Sequence, residues 1–566
     1  MNGVERRSFF RWLLGIASSL LGLGLAVAFI EITLLSLGKQ LPDTVTSIAW
    51  VAFASLTFNT ALIAFVSVPY LFFRWMRSGS SMNWFAVVPS LGLVLVMAVT
   101  YLSTHDRPTP LPIGNKNNVL LITLDTLRTD GLGCYGNPQA LTPFLDSMSR
   151  RSALFTDVVV PVPMTTPSHA SLLTATIPSA HGAAGNAYRL PPENESLAEI
   201  LLACGYRTGA FVSCFPLARK FGLDQGFQIY DDKFVPRGGV KELLLASLIE
   251  RVRHRGRLER SAADLNKAAL PWLASSATNR FFAWLHYFDP HAPYAAPLPY
   301  RTMFDGRLSC FDLQFPPGVT LDLIKSAVDQ HLPAEFDADL PVERYLAEIA
   351  WLDNQLNVLF RHLAERELFS NTVVIITADH GESLTEHGEI FSHGATLYDP
   401  SMKVPLLLRW PDLPASRIVN TSVRSIDIAP TILDILHLQL GKSMAGTSLC
   451  SLANGLDEPH RPAVIENLGI IMVPGAKKQR GYRTHDWKLI EQEGASGQIC
   501  QATQLYNLHA DPLELLDQCD TMQEIVTELQ FHLEKDITGT APASSQPIVV
   551  IRDDQTLENL RKLGYL

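Results

Sequence analysis

Residues 118–136, which read NVLLITLDTLRTDGLGCYG, decide the fold of this chain. They open on a run of aliphatic residues that ends at Asp125, and residues 373–378 (VVIITA) form a second such run that ends at Asp379. A third run, residues 281–288, reads FFAWLHYF. Short apolar runs of this kind are typical of strands that are buried on both faces of a sheet.

Helical patterns lie between these runs, at residues 196–204 and 343–366, and the second pattern is strongly amphipathic. Strands that alternate with helices predict an α/β domain with a largely parallel sheet. We expect this domain to cover residues 119–460, and residues 461–566 to form a smaller α+β subdomain. Because ligands gather at the carboxyl ends of parallel strands, we expect a functional site at that edge of the sheet.

Carboxylates follow two of the predicted strands, at Asp125 and at Asp379, and His380 comes next. A carboxylate that leaves a buried strand is costly unless it is paired or bound to a cation. Further histidines recur near the ends of these segments, at His286, His291 and His393. Adjacent Asp and His ligands with more histidines nearby favour a cation site. The alternatives are a helix N-cap for Asp125 and ordinary hydrogen-bonded histidines for the others.

Residues 165–174 (TTPSHASLLT) predict a helix whose N-terminus can hold an anion. Pro167 suits the first helical position with Thr166 as the cap, which would direct Thr165 and several backbone N–H groups at one spot. Backbone donors and the helix dipole together favour an anionic ligand there. An ordinary helix capped by a threonine is the alternative interpretation.

Three charge-free runs precede this domain, at residues 12–30, 44–73 and 78–104. Each is long enough to span about 30 Å of hydrocarbon as a helix. Arginines lie before the first run and between the second and third, which predicts a cytoplasmic N-terminus and an extracytoplasmic catalytic domain. We therefore expect a multi-pass cell-membrane protein, with residues 1–104 in the membrane and residues 105–118 as a linker. The alternatives are a cleaved signal peptide for the first run and buried core helices for the other two.

The composition excludes a nucleic-acid partner, because the net charge is −10 and such surfaces are normally basic. With 47% hydrophobic and 18% charged residues, the chain is too apolar to be disordered. The odd number of cysteines, seven, does not form a disulfide framework. Two pairs remain candidates outside the cytoplasm, Cys204 with Cys214 and Cys500 with Cys519.

In order and spacing these clusters resemble the sulfatase family of the alkaline phosphatase superfamily. The family signature reads Cys or Ser, any residue, Pro, Ser, Arg and then Ala-Ser-Leu-Leu-Thr, and residues 165–174 are similar to it. Residues 118–136 and 376–388 (ITADHGESLTEHG) resemble the two metal-ligand segments of the family, and residues 483–490 and 505–514 resemble its C-terminal subdomain. The resemblance implies an α/β/α sandwich with a small C-terminal α+β subdomain.

The resemblance also implies roles for individual residues. It assigns a divalent metal to Asp125, Asp379, His380 and the hydroxyl of Thr165. It makes Thr165 the nucleophile, with His393 and His291 acting on the ester oxygens and the leaving group. It assigns contacts with the substrate to His169, Asn186 and His286.

Several positions depart from the family pattern. The usual sulfatase nucleophile is a formylglycine made from Cys or Ser, whereas oxidation of Thr165 would give a ketone. His169 replaces the Arg of the maturation motif, and Thr126 replaces the second Asp of an Asp-Asp pair. His380 stands where many calcium-dependent members have Asn. A nitrogen ligand and fewer carboxylates favour zinc or manganese over calcium.

These departures favour phosphate mono- or diesters over sulfate esters. A sulfated formylglycine releases its sulfate by cleavage of the C–O bond, a route that a sulfated threonine lacks. A phosphothreonine, in contrast, can be hydrolysed by water that attacks phosphorus. We expect a membrane-anchored, metal-dependent hydrolase of a small-molecule, lipid or glycan ester. The alternatives are a transferase of a phosphoethanolamine-type headgroup from a lipid donor, and a pseudoenzyme that binds a ligand without turnover.

Overall fold

The computed structural model describes residues 117–234, 258–276, 280–304, 341–384, 386–388, 391–414, 416–468, 477–494, 499–539 and 553–562. All of them belong to one structural unit, residues 108–566. The three predicted membrane spans lie outside the described residues. In the part of the chain that is described, no helix combines the length and the apolar character that crossing a membrane requires.

The central element of the described chain is a mixed sheet of nine strands. Its strands are β1 (Asn118–Leu124), β2 (Ala153–Val159), β3 (Arg207–Phe211), β4 (Ile229–Asp231), β5 (Phe281–Tyr287), β6 (Thr372–Ala378), β7 (Lys403–Arg409), β8 (Arg417–Val419) and β9 (Val423–Arg424). They follow the order β4-β3-β5-β1-β6-β7-β2-β8, and β9 pairs with β2. All neighbours from β4 to β6 run parallel, whereas β7 is antiparallel to both β6 and β2. The prediction of an α/β fold is confirmed, and its largely parallel sheet contains one reversed strand.

The three strands that the apolar runs predict are neighbours at the centre of this sheet. Every residue of β1, β5 and β6 is buried. β1 begins at Asn118, the last residue of the predicted linker. Continuous apolar runs suit this position because both faces of a central strand are covered.

Helices fill the connections between the strands. They are α1 (Pro143–Ser149), α2 (Thr165–Thr174), α3 (Pro178–His181), α4 (Leu197–Ala203), α5 (Ala262–Ser275), α6 (Pro341–Glu365), α7 (Asp399–Met402), α8 (Ile428–Ile435), α9 (Cys450–Ala453), α10 (Gln523–Gly539) and α11 (Asp554–Lys562). The predicted helices over 196–204 and 343–366 correspond to α4 and α6. A capping box formed by Ser196 and Glu199 opens α4, which satisfies backbone donors at its first turn.

Helices cover both faces of the sheet, as the alternation of side chains along β5 demonstrates. Trp284 and His286 contact the ring of His169 on α2. The odd-numbered residues of β5, which alternate with these two, contact α5. The Phe281 ring packs on Trp272, and the Tyr287 hydroxyl donates a 2.6 Å hydrogen bond to Asn266. Because successive side chains of a strand point to opposite faces, α2 and α5 lie on opposite sides, which gives three layers.

A second, antiparallel sheet follows the nine-stranded sheet in sequence. It contains β10 (Ala463–Asn467), β11 (Gln479–Arg483), β12 (Trp487–Glu493) and β13 (Ile499–Asn507) in that order. The buried face of α10 packs on this sheet through Val526, Leu529 and Leu533. An antiparallel sheet with one packed helix is an α+β arrangement, the class expected for this region.

Neither candidate disulfide is present in the structure. Cys204 and Cys519, one member of each pair, both carry free thiols. Cys519 instead packs in the small core beneath α10. Hydrophobic burial, and not a covalent bond, therefore stabilises that region.

Candidate active site and metal centre

The carboxyl ends of β1, β5 and β6 bring the predicted site residues together. These three strands are adjacent and parallel, with Thr123 paired to His286 and Leu124 paired to Ala378. Asp125 and Asp379 therefore leave the sheet side by side, and both are buried. The main chain at Asp125 stays attached to β5, since its N–H donates to the carbonyl of Tyr287 over 2.9 Å.

Helix α2 brings Thr165 to the same edge, although it begins earlier than predicted. Its first residue is Thr165 and its N-cap is Met164, so Pro167 lies within the first turn and Thr166 is not the cap. Pro167 fits there because the first N–H groups of a helix have no intrahelical acceptor. The Ser168 hydroxyl donates a 2.5 Å hydrogen bond to the carbonyl of Asp379, which holds α2 against the end of β6.

Asn186 contacts the start of this helix in the structure. Its Oδ1 accepts a 2.9 Å hydrogen bond from the N–H of Thr166, while the Thr166 hydroxyl donates to the carbonyl of Pro216 over 2.7 Å. One of the backbone donors expected to hold an anion is thus already bonded within the protein. Asn186 thus helps to position α2, and its predicted contact with substrate stays a prediction.

His380 presents one ring nitrogen to Thr165 and to both carboxylates. Its Nδ1 donates to the carbonyl of Gly381 over 2.9 Å, which leaves the lone pair on Nε2. Nε2 lies 3.2 Å from Oγ1 of Thr165, 3.5 Å from Oδ2 of Asp379 and 3.9 Å from Oδ1 of Asp125. Gly381 is required here, because a Cβ would lie 2.0 Å from the carbonyl oxygen of Pro400.

This donor set fits a divalent cation. Ligand atoms of Asp125, Asp379 and His380 lie within 4.8 Å of one another, and all three residues are buried. In the described part of the chain, Oδ2 of Asp379 accepts no hydrogen bond. Burial raises the pKa of Asp379, and the neighbouring charge of Asp125 raises it further. Two buried carboxylates facing an imidazole lone pair are costly unless a cation offsets their charge.

His169 is fully enclosed by protein atoms. Its Nδ1 donates to the carbonyl of Thr165 over 2.8 Å, and its Nε2 accepts from the Thr123 hydroxyl over 2.9 Å. The Thr123 oxygen in turn accepts from Nε1 of Trp284 over 3.0 Å. Burial lowers the pKa of His169 to about 3, so the ring is neutral. Both nitrogens contact the protein, so the geometry favours positioning of Thr165 over the predicted contact with substrate.

His286 has a similar supporting position beside Asp125. Burial lowers its pKa to about 4. Its Nδ1 accepts from the N–H of Ser213 over 3.4 Å, and its Nε2 lies 3.3 Å from Oδ2 of Asp125. With Nδ1 accepting, the proton is on Nε2 and faces the carboxylate. His286 thus faces Asp125 from within the protein, and its predicted contact with substrate stays a prediction.

His393 and His291 border the centre on the side of Glu382. The ring of His393 lies 4.4 Å from the ring of His380 and 5.1 Å from that of His291. Burial lowers the pKa of both His393 and His291. The Nδ1 of His291 donates to the carbonyl of Ala292 over 2.6 Å. His393 therefore lies next to the imidazole that contacts Thr165, and His291 lies next to His393.

Sequence reasoning missed two residues of this region. Glu382 is buried with one carboxylate oxygen 3.3 Å from Nδ1 of His393. Cys214, also buried, places its sulfur within 4.8 Å of ligand atoms of Asp125 and His286. The sequence did hold a signal for Glu382, because it lies three residues beyond Asp379 in the segment DHGE.

Thr126, which replaces the second carboxylate of the family pattern, occupies the turn after Asp125. Its φ is +54°, a left-handed conformation that β-branched residues rarely adopt. Its carbonyl accepts a 2.8 Å hydrogen bond from the hydroxyl of Tyr345, which holds the turn against α6. The turn is therefore held through its main-chain carbonyl. The residues that could hold a metal include two carboxylates, Asp125 and Asp379.

Comparisons with known proteins indicate one family. The model of the sulfatase family matches residues 117–438, and a model described as N-sulphoglucosamine sulphohydrolase, C-terminal, matches residues 386–539. The chain is similar to an ulvan-active sulfatase of Formosa agariphila, with 26% identity over 397 residues that cover 66% of this chain and 73% of the relative. It is also similar to arylsulfatase K of Homo sapiens, with 24% identity over 485 residues, or 80% of this chain and 86% of the relative.

A solved structure of similar fold is the phosphonate monoester hydrolase from Silicibacter pomeroyi. The TM-score is 0.59 at 20% sequence identity, and the match covers 77% of this chain and 100% of that one. At this identity the likeness concerns the fold alone. The fold of this chain is therefore similar to that of a hydrolase that is not named a sulfatase.

Proposed function

The chain belongs to the sulfatase family and is an ester hydrolase of that family, and from this premise we propose that it cleaves phosphate mono- or diesters with Thr165 as the nucleophile. The observation that carries the proposal is the position of the Thr165 hydroxyl, 3.2 Å from Nε2 of His380. We further propose that residues 1–104 anchor the enzyme in the cell membrane, with its catalytic domain outside the cytoplasm.

Asp125, Asp379 and His380 would hold a divalent metal beside that hydroxyl. When bound, the cation would lower the pKa of the Thr165 hydroxyl and screen the charge of the ester. An imidazole ligand beside only two carboxylates supports zinc or manganese over calcium. His286 and His169 would keep Asp125 and Thr165 in place, because both rings are buried, His169 is hydrogen-bonded through both nitrogens, and Nε2 of His286 lies 3.3 Å from Oδ2 of Asp125.

In the first step the Thr165 alkoxide forms a bond to phosphorus, having released its proton to solvent. The bond from phosphorus to the leaving oxygen breaks, and His393 or His291 donates a proton to that oxygen. Water then attacks phosphorus and gives a proton to the same histidine. The bond from phosphorus to Oγ1 of Thr165 breaks, and Thr165 regains its proton from solvent. At the start of α2, Thr166 and Ser168 already donate within the protein and Pro167 has no N–H. Among these first residues, the N–H of Thr165 is therefore the donor that would stabilise a negative oxygen in the transition state.

Hydrolysis of sulfate esters is the second candidate, and it is favoured by the names of the curated relatives, both of which are sulfatases. Against it stands the side chain of Thr165, which oxidation would convert to a ketone and not to a formylglycine. A threonine sulfate also lacks the C–O cleavage route that releases sulfate from a formylglycine. The two candidates therefore differ in the substrate and agree on the site.

The test offers an aryl phosphate, an aryl phosphodiester and an aryl sulfate to the full chain, each with zinc, manganese or calcium. We expect turnover of a phosphoester that falls at least about a thousand-fold in Thr165→Ala, because the bond-forming oxygen is lost. Thr165→Ser is the matched control, since it keeps a hydroxyl, and it should retain turnover. Sulfate turnover that depends on Thr165 would overturn the preference for phosphate. Phosphoester turnover that is unchanged in Thr165→Ala would contradict the assignment of Thr165 as the nucleophile.

A further inference from the structure

Glu382 is a buried carboxylate beside the reacting centre to which the proposed mechanism gives no role. Its side chain is 1% exposed, on the loop that follows β6. Oε1 lies 3.3 Å from Nδ1 of His393, and Oε2 accepts a hydrogen bond from the hydroxyl of Tyr294. A carboxylate buried this completely needs donors for its oxygens, and one of its two contacts is with a proposed catalytic acid.

The loop that carries Glu382 is held in a fixed position. Nη1 of Arg128 donates to the carbonyl of Glu382 over 2.9 Å, and the same guanidinium pairs with Asp130 and Glu386. The ring of Tyr294 packs against that of Tyr345, with the centroids 5.6 Å apart. The backbone and the carboxylate of Glu382 are therefore both anchored independently of His393.

This contact decides which nitrogen of His393 faces the reaction. A carboxylate accepts hydrogen bonds, so the proton shared with Glu382 lies on Nδ1 of His393. Nε2 is then the nitrogen that can reach a leaving group. The His393 ring lies 4.4 Å from that of His380, whose Nε2 is 3.2 Å from Oγ1 of Thr165.

We propose that Glu382 is a positioning residue, which fixes the ring orientation of His393 by holding its Nδ1–H, so that the protonated ring presents its Nε2–H to the leaving group. The inference rests on the proposed function. His393 enters the step with a proton on each ring nitrogen. As the bond from phosphorus to the leaving oxygen breaks, its electron pair stays on that oxygen, and the proton on Nε2 of His393 moves to it. His393 becomes neutral, and its Nδ1–H remains bonded to Glu382.

A merely structural role for Glu382 predicts a different pattern of kinetics. Loss of packing would slow the cleavage of all esters to a similar extent. Loss of proton delivery slows esters of poor leaving groups, such as phenol, much more than esters of 4-nitrophenol, which departs without protonation. The dependence of the rate on the leaving group therefore separates the two roles.

The experiment compares Glu382→Gln with the wild-type full chain on phenyl and 4-nitrophenyl esters of the acid that the wild type turns over. Glutamine keeps the size, but its amide nitrogen cannot accept, so His393 and Tyr294 can no longer both donate to it. We expect kcat on the phenyl ester to fall about 10- to 100-fold, in the range for partners that orient an active-site group. On the 4-nitrophenyl ester we expect little change.

Four further variants make the test specific. His393→Ala should show the same dependence on the leaving group, and adding Glu382→Gln to it should cause no further loss. Tyr294→Phe, which removes one donor to Glu382, should reproduce a weaker form of the effect even if Glu382→Gln does not fold. Glu466→Gln is the matched control, because Glu466 is equally buried and instead accepts from the N–H of Ser179.

Equal losses on both esters, or losses that multiply in the double variant, would overturn the role of Glu382. Failure of the proposed function is distinguishable, since it appears as wild-type turnover that is independent of Thr165. In that case the comparison of leaving groups still applies to Glu382. Absence of wild-type turnover on both phosphate and sulfate esters would overturn both proposals.

Discussion

At the scale of the residue, the chemistry of this site depends on placing charge where water cannot reach it. Asp125 and Asp379 are both buried, and they lie close enough for the charge of one to raise the pKa of the other. Such an arrangement destabilises the metal-free protein in exchange for metal affinity. Sites of this kind are where stability and activity conflict.

Asp379→Asn should therefore raise the stability of the metal-free protein by about 1–2 kcal/mol, because it removes one buried negative charge. Asn can still accept the 2.9 Å hydrogen bond that Oδ1 of Asp379 receives from the N–H of His380. The same variant should lose the increase in Tm that zinc gives the wild type. Thermal unfolding with chelator and with added zinc measures both effects.

Asp353→Asn is the control for this prediction. Asp353 is also a buried carboxylate, but its oxygens accept from the N–H groups of Phe144 and Leu145 at the start of α1. Its variant should keep the response of Tm to zinc. A metal-free Asp379→Asn protein that is less stable than the wild type, or that still responds to zinc, would contradict the proposed metal site.

Residue types and spacing sufficed to predict which side chains gather at the site, and not what each one contacts. Asp125, Thr165 and His380 meet as expected because parallel strands end at one edge. His169 and His286 lie at the same edge, yet their ring nitrogens bond to Thr123, Thr165 and Ser213. A sequence does not specify a tautomer or a ring orientation, since both depend on atoms distant in the chain.

At the scale of the element, the connection between α2 and α3 depends on a neutral histidine. Nδ1 of His181 accepts from the N–H of Ala183 over 3.1 Å, so its Nε2 carries the proton and faces Oγ of Ser171 at 2.9 Å. A second proton on Nδ1 would confront the N–H of Ala183. Burial lowers the pKa of His181 to about 3, against about 6.5 in an unfolded chain.

His181 should therefore make the free energy of unfolding fall as the pH is lowered from about 6.5 towards 3. Over that range the unfolded chain binds a proton at this position and the folded chain does not, which contributes up to about 1.4 kcal/mol per pH unit. His181→Gln should flatten this part of the profile. Denaturant unfolding at several pH values measures it, with His509→Gln at an exposed position as the control. An unchanged slope would contradict the assignment.

Elements were predictable where one local cause determines them. Continuous apolar runs identified β1, β5 and β6, and the amphipathic pattern identified α6. The reversal of β7 was not predictable, because KVPLLLR contains an apolar run like those of the parallel strands, and the period of a strand carries no direction. The start of α2 was missed because Pro167 fits any position in the first turn.

At the scale of the whole molecule, the proposed membrane anchor can be tested independently of the proposed catalytic site. The three charge-free runs predict that the full chain sediments with membranes and resists extraction by high salt. Deletion of residues 1–104 should release the protein, and protease added outside intact cells should digest the catalytic domain of the full chain. A full chain found in the soluble fraction would contradict the anchor and leave the site untouched.

The central claim is that Thr165 carries the transferred group. The most direct measurement is rapid acid quenching of the wild-type enzyme during turnover of an aryl phosphate, followed by mass spectrometry of the peptide that contains Thr165. The account predicts a phosphoryl group on Thr165, formed as fast as the first equivalent of phenol is released. Active turnover, in a reaction quenched fast enough to resolve that first release, with Thr165 unmodified at every time point would contradict it.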